Sequence, residues 1–177
     1  MEQHHPEVVV MRIRSWGLLS LLGLSTLAGA RGLPGAFVPG WEHGPFVDAV
    51  EYLSSEEDFR AWFQLRANLR KNFDDICGDT FCEGDYSNIE TVVFRCSVGQ
   101  RSGVLGQCLW VFGGSYEHID ARSGAITTQA RTWACTSPLV PGTTMEALLK
   151  ALSGPEPMDA PLPGTSTTLY DGLVDCL

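Results

Sequence analysis

The chain has 177 residues and a formal net charge of −9, from 12 Lys and Arg against 21 Asp and Glu. An acidic chain repels the phosphate backbone of nucleic acids, and no basic stripe interleaved with aromatic residues offsets that repulsion. We therefore expect no nucleic acid partner, and the length suits one domain with a core of its own.

Residues 1–30 are organised like a cleavable export signal. Two arginines precede an apolar run over residues 16–27, and the small residues 28–30 follow it, which is the order that an export signal requires. The apolar run is shorter than the roughly 20 residues that span a bilayer. We expect cleavage before Arg31, with Met11 as an alternative start, and a secreted or periplasmic protein without membrane attachment after cleavage.

The predicted domain covers residues 54–177, preceded by a Gly- and Pro-rich N-terminal segment over residues 31–53. Its first predicted element is a helix over about residues 55–76. Serines at its start stand three residues before acidic side chains, which is capping-box spacing. Apolar residues then recur at steps of three and four, as on one face of a helix: Phe59, Trp62, Phe63, Leu69, Phe73 and Ile76.

Three strands are predicted after this helix, over residues 91–98, 107–112 and 125–135. The first alternates apolar and polar residues, and the second is apolar on both faces, as in a central strand. The connections place Gly103 and Gly124 where hairpin loops need a positive φ. The pattern predicts an antiparallel β-meander.

A second helix is predicted over residues 144–152, and the prolines of residues 155–163 then favour an extended chain. The predicted fold class is therefore α+β, with one long N-terminal helix packed on a curled antiparallel meander and held by disulfides. This order of elements resembles cystatin-like folds. A likeness of element order carries no function.

The six cysteines follow the predicted export signal, so we expect them to pair in an oxidising compartment. A first hairpin that turns at Ser102 would place Cys96 opposite Cys108, Phe94 opposite Trp110 and Val92 opposite Phe112. A second hairpin that turns near residues 121–122 would instead allow Cys108 to face Cys135. The favoured set is Cys77–Cys82, Cys96–Cys108 and Cys135–Cys176, and the spacing argues against a zinc site.

The acidic stretch over residues 74–88 is a candidate calcium site. Asp75, Asp79, Glu83 and Asp85 would supply the hard oxygen ligands that calcium prefers. Their offsets do not match an EF-hand loop. We favour the alternative, a solvated loop whose acidic side chains cap turns.

Hydrolytic chemistry has few candidate residues. His118 follows Ser115 and precedes Asp120, but Ser115 and His118 would point to opposite faces of a strand. His43 could reach a site only through tertiary folding. We therefore assign no catalytic residue.

Gly113 and Gly114 end the predicted central strand, where glycine marks a bulge, a bend or a close approach. Four aromatic residues near that point could line a ligand pocket: Trp110, Phe112, Tyr116 and Trp133. We favour the alternative that they belong to the core, because a domain of this size needs many large apolar residues inside.

The leading hypothesis is an exported, non-enzymatic binding module that needs no cofactor. Its partner would be an extracytoplasmic protein or a small ligand. A bacterial source is indicated by ten Arg against two Lys, a bias typical of GC-rich genomes. The alternatives are a small secreted hydrolase that uses His118 or His43, and a domain stabilised by calcium at residues 74–88.

Overall fold

The computed structural model describes residues 43–177, which form an α+β domain with a four-stranded antiparallel sheet. The predicted α+β class is confirmed, whereas the predicted export signal at residues 1–30 lies outside the described residues. In chain order the elements are β1 (Phe46–Asp48), α1 (Ala49–Tyr52), α2 (Glu56–Thr80), a 3₁₀ turn (Gly84–Tyr86), β2 (Glu90–Gly99), β3 (Leu105–Ile119), β4 (Ile126–Thr136), α3 (Met145–Ala151) and α4 (Leu169–Val174). No helix within residues 43–177 has the length and apolar character needed to cross a membrane.

Helix α2 begins at the predicted capping residue and ends later than predicted. The Oγ of Ser55 accepts a hydrogen bond from the backbone N–H of Asp58 at 3.0 Å, and acidic residues fill the first turn. The helix continues past Ile76 to Thr80. Phe81 then stacks on Phe73 of the same helix and contacts Tyr170 of α4 with ring centroids 5.7 Å apart, so a tertiary contact holds the end of α2 in place.

The sheet order is β1-β2-β3-β4, with all neighbours antiparallel. The predicted meander of β2, β3 and β4 is confirmed. Gly103 and Gly124 have φ values of 68° and 72°, as their hairpin turns require. The prediction missed β1, because a three-residue strand is too short to show an alternating pattern.

The register between β2 and β3 agrees with the prediction over part of its length. Phe94 faces Trp110 and Cys96 faces Cys108. The predicted pair Val92–Phe112 is wrong, because Thr91 faces Phe112 and Val92 is the extra residue of a β-bulge. On the other side of β3, Cys135 faces Trp110 rather than Cys108.

The core lies between α2 and one face of the sheet. Trp62, Phe73 and Phe112 have at most 1% of their surface exposed. Phe73 contacts Phe112 with ring centroids 4.7 Å apart, and Trp62 contacts Phe94 at 5.7 Å. Because side chains alternate along a strand, the intervening residues of β2 and β3 face away from α2.

Disulfides attach the loop after α2 and the C-terminal tail to this core. The pairs are Cys77–Cys82, Cys96–Cys108 and Cys135–Cys176, the set favoured from the sequence. The prediction missed α4, whose Thr168–Asp171 capping box and two buried leucines dock the tail on the domain. A helix of six residues is too short to be detected by its periodicity.

Candidate functional site

The acidic residues predicted as calcium ligands are spread over several elements. Asp75 lies on α2, where its carboxylate accepts a hydrogen bond from Lys71 Nζ at 2.6 Å. Asp79 is exposed on the last turn of α2, and Glu83 precedes the 3₁₀ turn. The side chain of Asp85 lies outside what the structure describes. Among residues 43–177, no three His, Cys, Asp or Glu side chains gather as metal ligands would.

Most of the aromatic residues proposed to line a pocket lie in the core. Trp110, Phe112 and Trp133 are buried, and Tyr116 is half-buried. The β3–β4 ladder has no bulge at Gly113–Gly114, since β3 pairs with β4 without a register shift through both residues. A side chain at position 114 would approach neighbouring side chains to 3.3 Å. Gly114 therefore makes room for close packing beside Trp133.

Ser115, His118 and Asp120 do not form a catalytic arrangement within the described part of the chain. Ser115 and His118 stand on one continuous strand at positions that face opposite sides. The Oγ of Ser115 accepts a hydrogen bond from Asn88 at 2.8 Å. Asp120 accepts hydrogen bonds from the backbone N–H and Oγ of Ser123, and these hold the pKa of Asp120 below its ordinary value.

His43 lies at the opposite end of the sheet from that hairpin. Its Nδ1 is 3.0 Å from the Oγ of Ser102, in the turn between β2 and β3. A side chain at Gly99 would approach the Cβ of His43 to 2.8 Å. His43 therefore packs against the turn between β2 and β3.

The most distinctive surface of the described chain is the open edge of β2. Strand β1 pairs only with residues 97–99 of β2, after which the chain turns into α1. Residues 90–96 therefore have β3 on one side and no described strand on the other. An unpaired edge of this kind presents a row of free backbone donors and acceptors.

The geometry of the ladder shows which backbone groups face this edge. The Cα atoms of Cys96 and Cys108 are 4.1 Å apart, close to the roughly 4.5 Å of a non-hydrogen-bonded antiparallel pair. In such a pair the N–H and C=O groups point away from the facing strand. Phe94 and Trp110, two residues further along the ladder, form a pair of the same kind. The backbone N–H and C=O groups of Phe94 and Cys96 therefore point to the open edge. The carbonyl of Thr91 also faces outward, because it accepts a hydrogen bond from Arg70 Nη2 at 3.1 Å.

Helix α2 forms a wall beside the open edge. Phe63, Arg66, Ala67 and Arg70 occupy successive turns on that side of the helix and line a cavity of about 410 Å³ against residues 91–94. A second cavity, of about 480 Å³, shares Arg66 and Phe94 with the first and extends to α1. The two cavities are neighbours along β2, and we call them together the β2 groove.

Exposed apolar side chains line the β2 groove. Phe63 has 52% of its surface exposed, Val92 63% and Val50 38%. Val92 reaches the surface because the bulge displaces it from the alternating pattern of β2. The groove therefore combines free backbone groups with apolar surface, a combination that suits an extended polypeptide.

Three arginines give the groove its charge. The Nε of Arg95 donates a hydrogen bond to Asp48 at 2.7 Å. Burial raises the pKa of Asp48, but hydrogen bonds from the Val50 N–H and from Arg95 outweigh that effect, so this pKa lies below its ordinary value. Arg66 and Arg70 form no salt bridge with any residue in the described range.

Comparisons with family models, with curated proteins and with solved structures found no match. The β2 groove was also missed from the sequence, where the spacing of apolar residues indicated only the buried face of α2. The available signal was the spacing of Phe63, Arg66 and Arg70, which repeats at three- and four-residue steps beside the buried stripe.

Proposed function

We propose that this protein is an exported binding module that holds an extended segment of a partner protein along the open edge of β2. The observation that carries the proposal is the unpaired stretch of β2 at residues 90–96, beside a wall supplied by α2. A strand added to such an edge gains backbone hydrogen bonds, and neighbouring pockets select its side chains.

Export is supported by the signal-like organisation of residues 1–30 and by the three disulfides. Disulfides persist in oxidising compartments such as the periplasm and the extracellular space. The long helix followed by a meander also supports a cystatin-like arrangement of elements, and we retain that likeness as a proposal about element order alone.

The shape of the groove favours a polypeptide over a compact small ligand. From Glu90 to Cys96 the open edge is about 20 Å long, at roughly 3.3 Å per residue. The lining residues of the two cavities follow β2 along most of this length. Natural edge strands are commonly covered, shortened or charged. This edge carries the charge of Arg95, but exposed Phe63 and Val92 also flank it.

Strand addition can be tested with linear peptides selected from a random display library on the mature, oxidised protein. A selected peptide is then synthesised with N-methyl groups on alternate amides, in both possible registers. Because only alternate residues of an added strand bond to β2, we expect one register to weaken binding at least tenfold and the other to leave it nearly unchanged. Equal tolerance of both registers would contradict strand addition.

A pair of protein variants locates the binding surface. Val92 and Ile126 are exposed to 63% and 65%, and both are aliphatic residues in strands, but only Val92 borders the β2 groove. We expect Val92→Asn to weaken binding several-fold and Ile126→Asn to leave it unchanged. NMR amide shifts on peptide addition should concentrate at Phe94 and Cys96. Shifts confined to the hairpin of β3 and β4 would place the binding surface elsewhere.

A further inference from the structure

We propose that the segment bound in the β2 groove carries two carboxylates separated by one residue, in an acidic–x–acidic pattern, and that Arg66 and Arg70 bind these carboxylates. This inference rests on the proposed strand addition and names the chemistry of the partner. Both arginines face the groove, although the net charge of the chain is −9.

Both arginines keep donors available for a ligand. Arg70 uses Nη2 to bond the carbonyl of Thr91 at 3.1 Å, and a guanidinium has five N–H donors in all. The guanidinium of Arg66 lies 5.8 Å from the ring centroid of Phe63, a cation–π contact that occupies none of its N–H donors with a hydrogen bond. Neither forms a salt bridge with a described residue.

The spacing of the two arginines matches that of alternate residues in a strand. Positions four apart on a helix are separated by about 6 Å along its axis. Alternate residues of a strand are separated by about 6.7 Å and point to the same face. A strand added at β2 would therefore present every second side chain to the α2 wall, one opposite Arg66 and the next opposite Arg70.

Acidic residues at both ends of the groove limit the pattern to two carboxylates. Asp48 and Glu51 lie at the α1 end, and Asp74 lies one helical turn beyond Arg70. Burial raises the pKa of Asp74, and the nearby Glu90 raises it further against the opposing effect of Arg70. Two carboxylates of this chain therefore already lie near Arg70. A longer acidic run in the partner would meet repulsion at either end.

The experiment compares synthetic peptides of one length on the mature protein, by fluorescence anisotropy. The parent peptide has the core Val-Glu-Val-Glu-Val. Two further peptides carry Gln or Lys in place of both glutamates. A fourth peptide keeps both glutamates and adds one more Glu at the next alternate position on each side of the core. An N-methylated form of the parent, in the register that faces β2, reports strand addition itself. We expect the parent to bind about tenfold tighter than the Gln peptide, as two partly exposed ion pairs would provide.

Protein variants assign this preference to the two arginines. We expect the double variant Arg66→Gln with Arg70→Gln to abolish the tenfold preference. The control variant, Arg101→Gln with Arg122→Gln, removes the same charge outside the groove and should keep the preference. High salt should reduce the preference in the same way.

The outcomes separate this inference from the proposed function. If the Gln peptide or the Lys peptide binds as well as the parent while the N-methylated form fails, strand addition stands and the acidic pattern is overturned. If the peptide with additional glutamates binds tightest, the limit of two carboxylates is wrong. If the N-methylated parent binds as well as the parent, or if no peptide binds, the proposed function itself is overturned.

Discussion

Of the three disulfides, Cys135–Cys176 closes the longest loop. We therefore expect its removal to lower the free energy of unfolding the most. The two cysteines are 41 residues apart, whereas Cys77 and Cys82 are 5 apart. A crosslink stabilises mainly by restricting the unfolded chain, and the restriction grows with the logarithm of the loop length. That relation gives about 4 kcal/mol for the long loop and about 2 kcal/mol for the short one.

The two disulfides form a matched pair for this comparison. Each joins one buried cysteine, Cys135 or Cys82, to one that is half-buried, Cys176 or Cys77. Replacing both members of a pair by Ala therefore removes similar packing in the two variants. The difference between them isolates the loop length, while α4 keeps its own contacts through buried leucines.

The measurement is equilibrium unfolding in urea without reductant, followed by far-UV circular dichroism and by tryptophan fluorescence. We expect Cys135→Ala with Cys176→Ala to lower the free energy of unfolding about 2 kcal/mol further than Cys77→Ala with Cys82→Ala. The denaturant slope should rise more in the long-loop variant, because its unfolded state exposes more surface. Equal losses, or a larger loss from the short loop, would refute the argument from loop entropy.

Three further predictions concern a turn, an ion pair and the acidic stretch. Thermal unfolding should show that Gly103→Ala lowers the free energy of unfolding more than Gly124→Ala does. Both glycines have a positive φ, but only a Cβ at position 103 would come within 2.5 Å of a neighbouring atom, the hydroxyl oxygen of Tyr52. Asp48→Asn should destabilise the protein at pH 7 by up to about 1 kcal/mol. This loss should shrink as the pH falls through the lowered pKa of Asp48 in the folded state, because a carboxyl with a lowered folded pKa stabilises the folded state only while it is ionised. Millimolar calcium should raise the melting temperature no more than sodium at matched ionic strength, and a saturable calcium-specific shift that Asp79→Asn with Glu83→Gln removes would contradict this expectation.

Much of the fold could be predicted because its signals are local. The start of α2 follows from Ser55 and the acids after it, and the hairpins follow from glycines that tolerate positive φ at positions 103 and 124. The facing of Cys96 and Cys108 followed from the length of one tight turn, since two antiparallel strands joined by a short loop have few possible registers.

The β2 groove could not be predicted, because it depends on where distant segments end. Its edge is open since β1 stops at Asp48, and a three-residue strand gives no periodic signal. Val92 is exposed because of a bulge, a local slip in the ladder that a strict alternating pattern does not reveal. The sequence by itself therefore determined the helix, the meander and the turns, whose causes lie within a few residues of each other. Only the tertiary structure decided that Arg66 and Arg70 lie beside an unpaired strand, because that neighbourhood joins parts of the chain that are far apart in sequence.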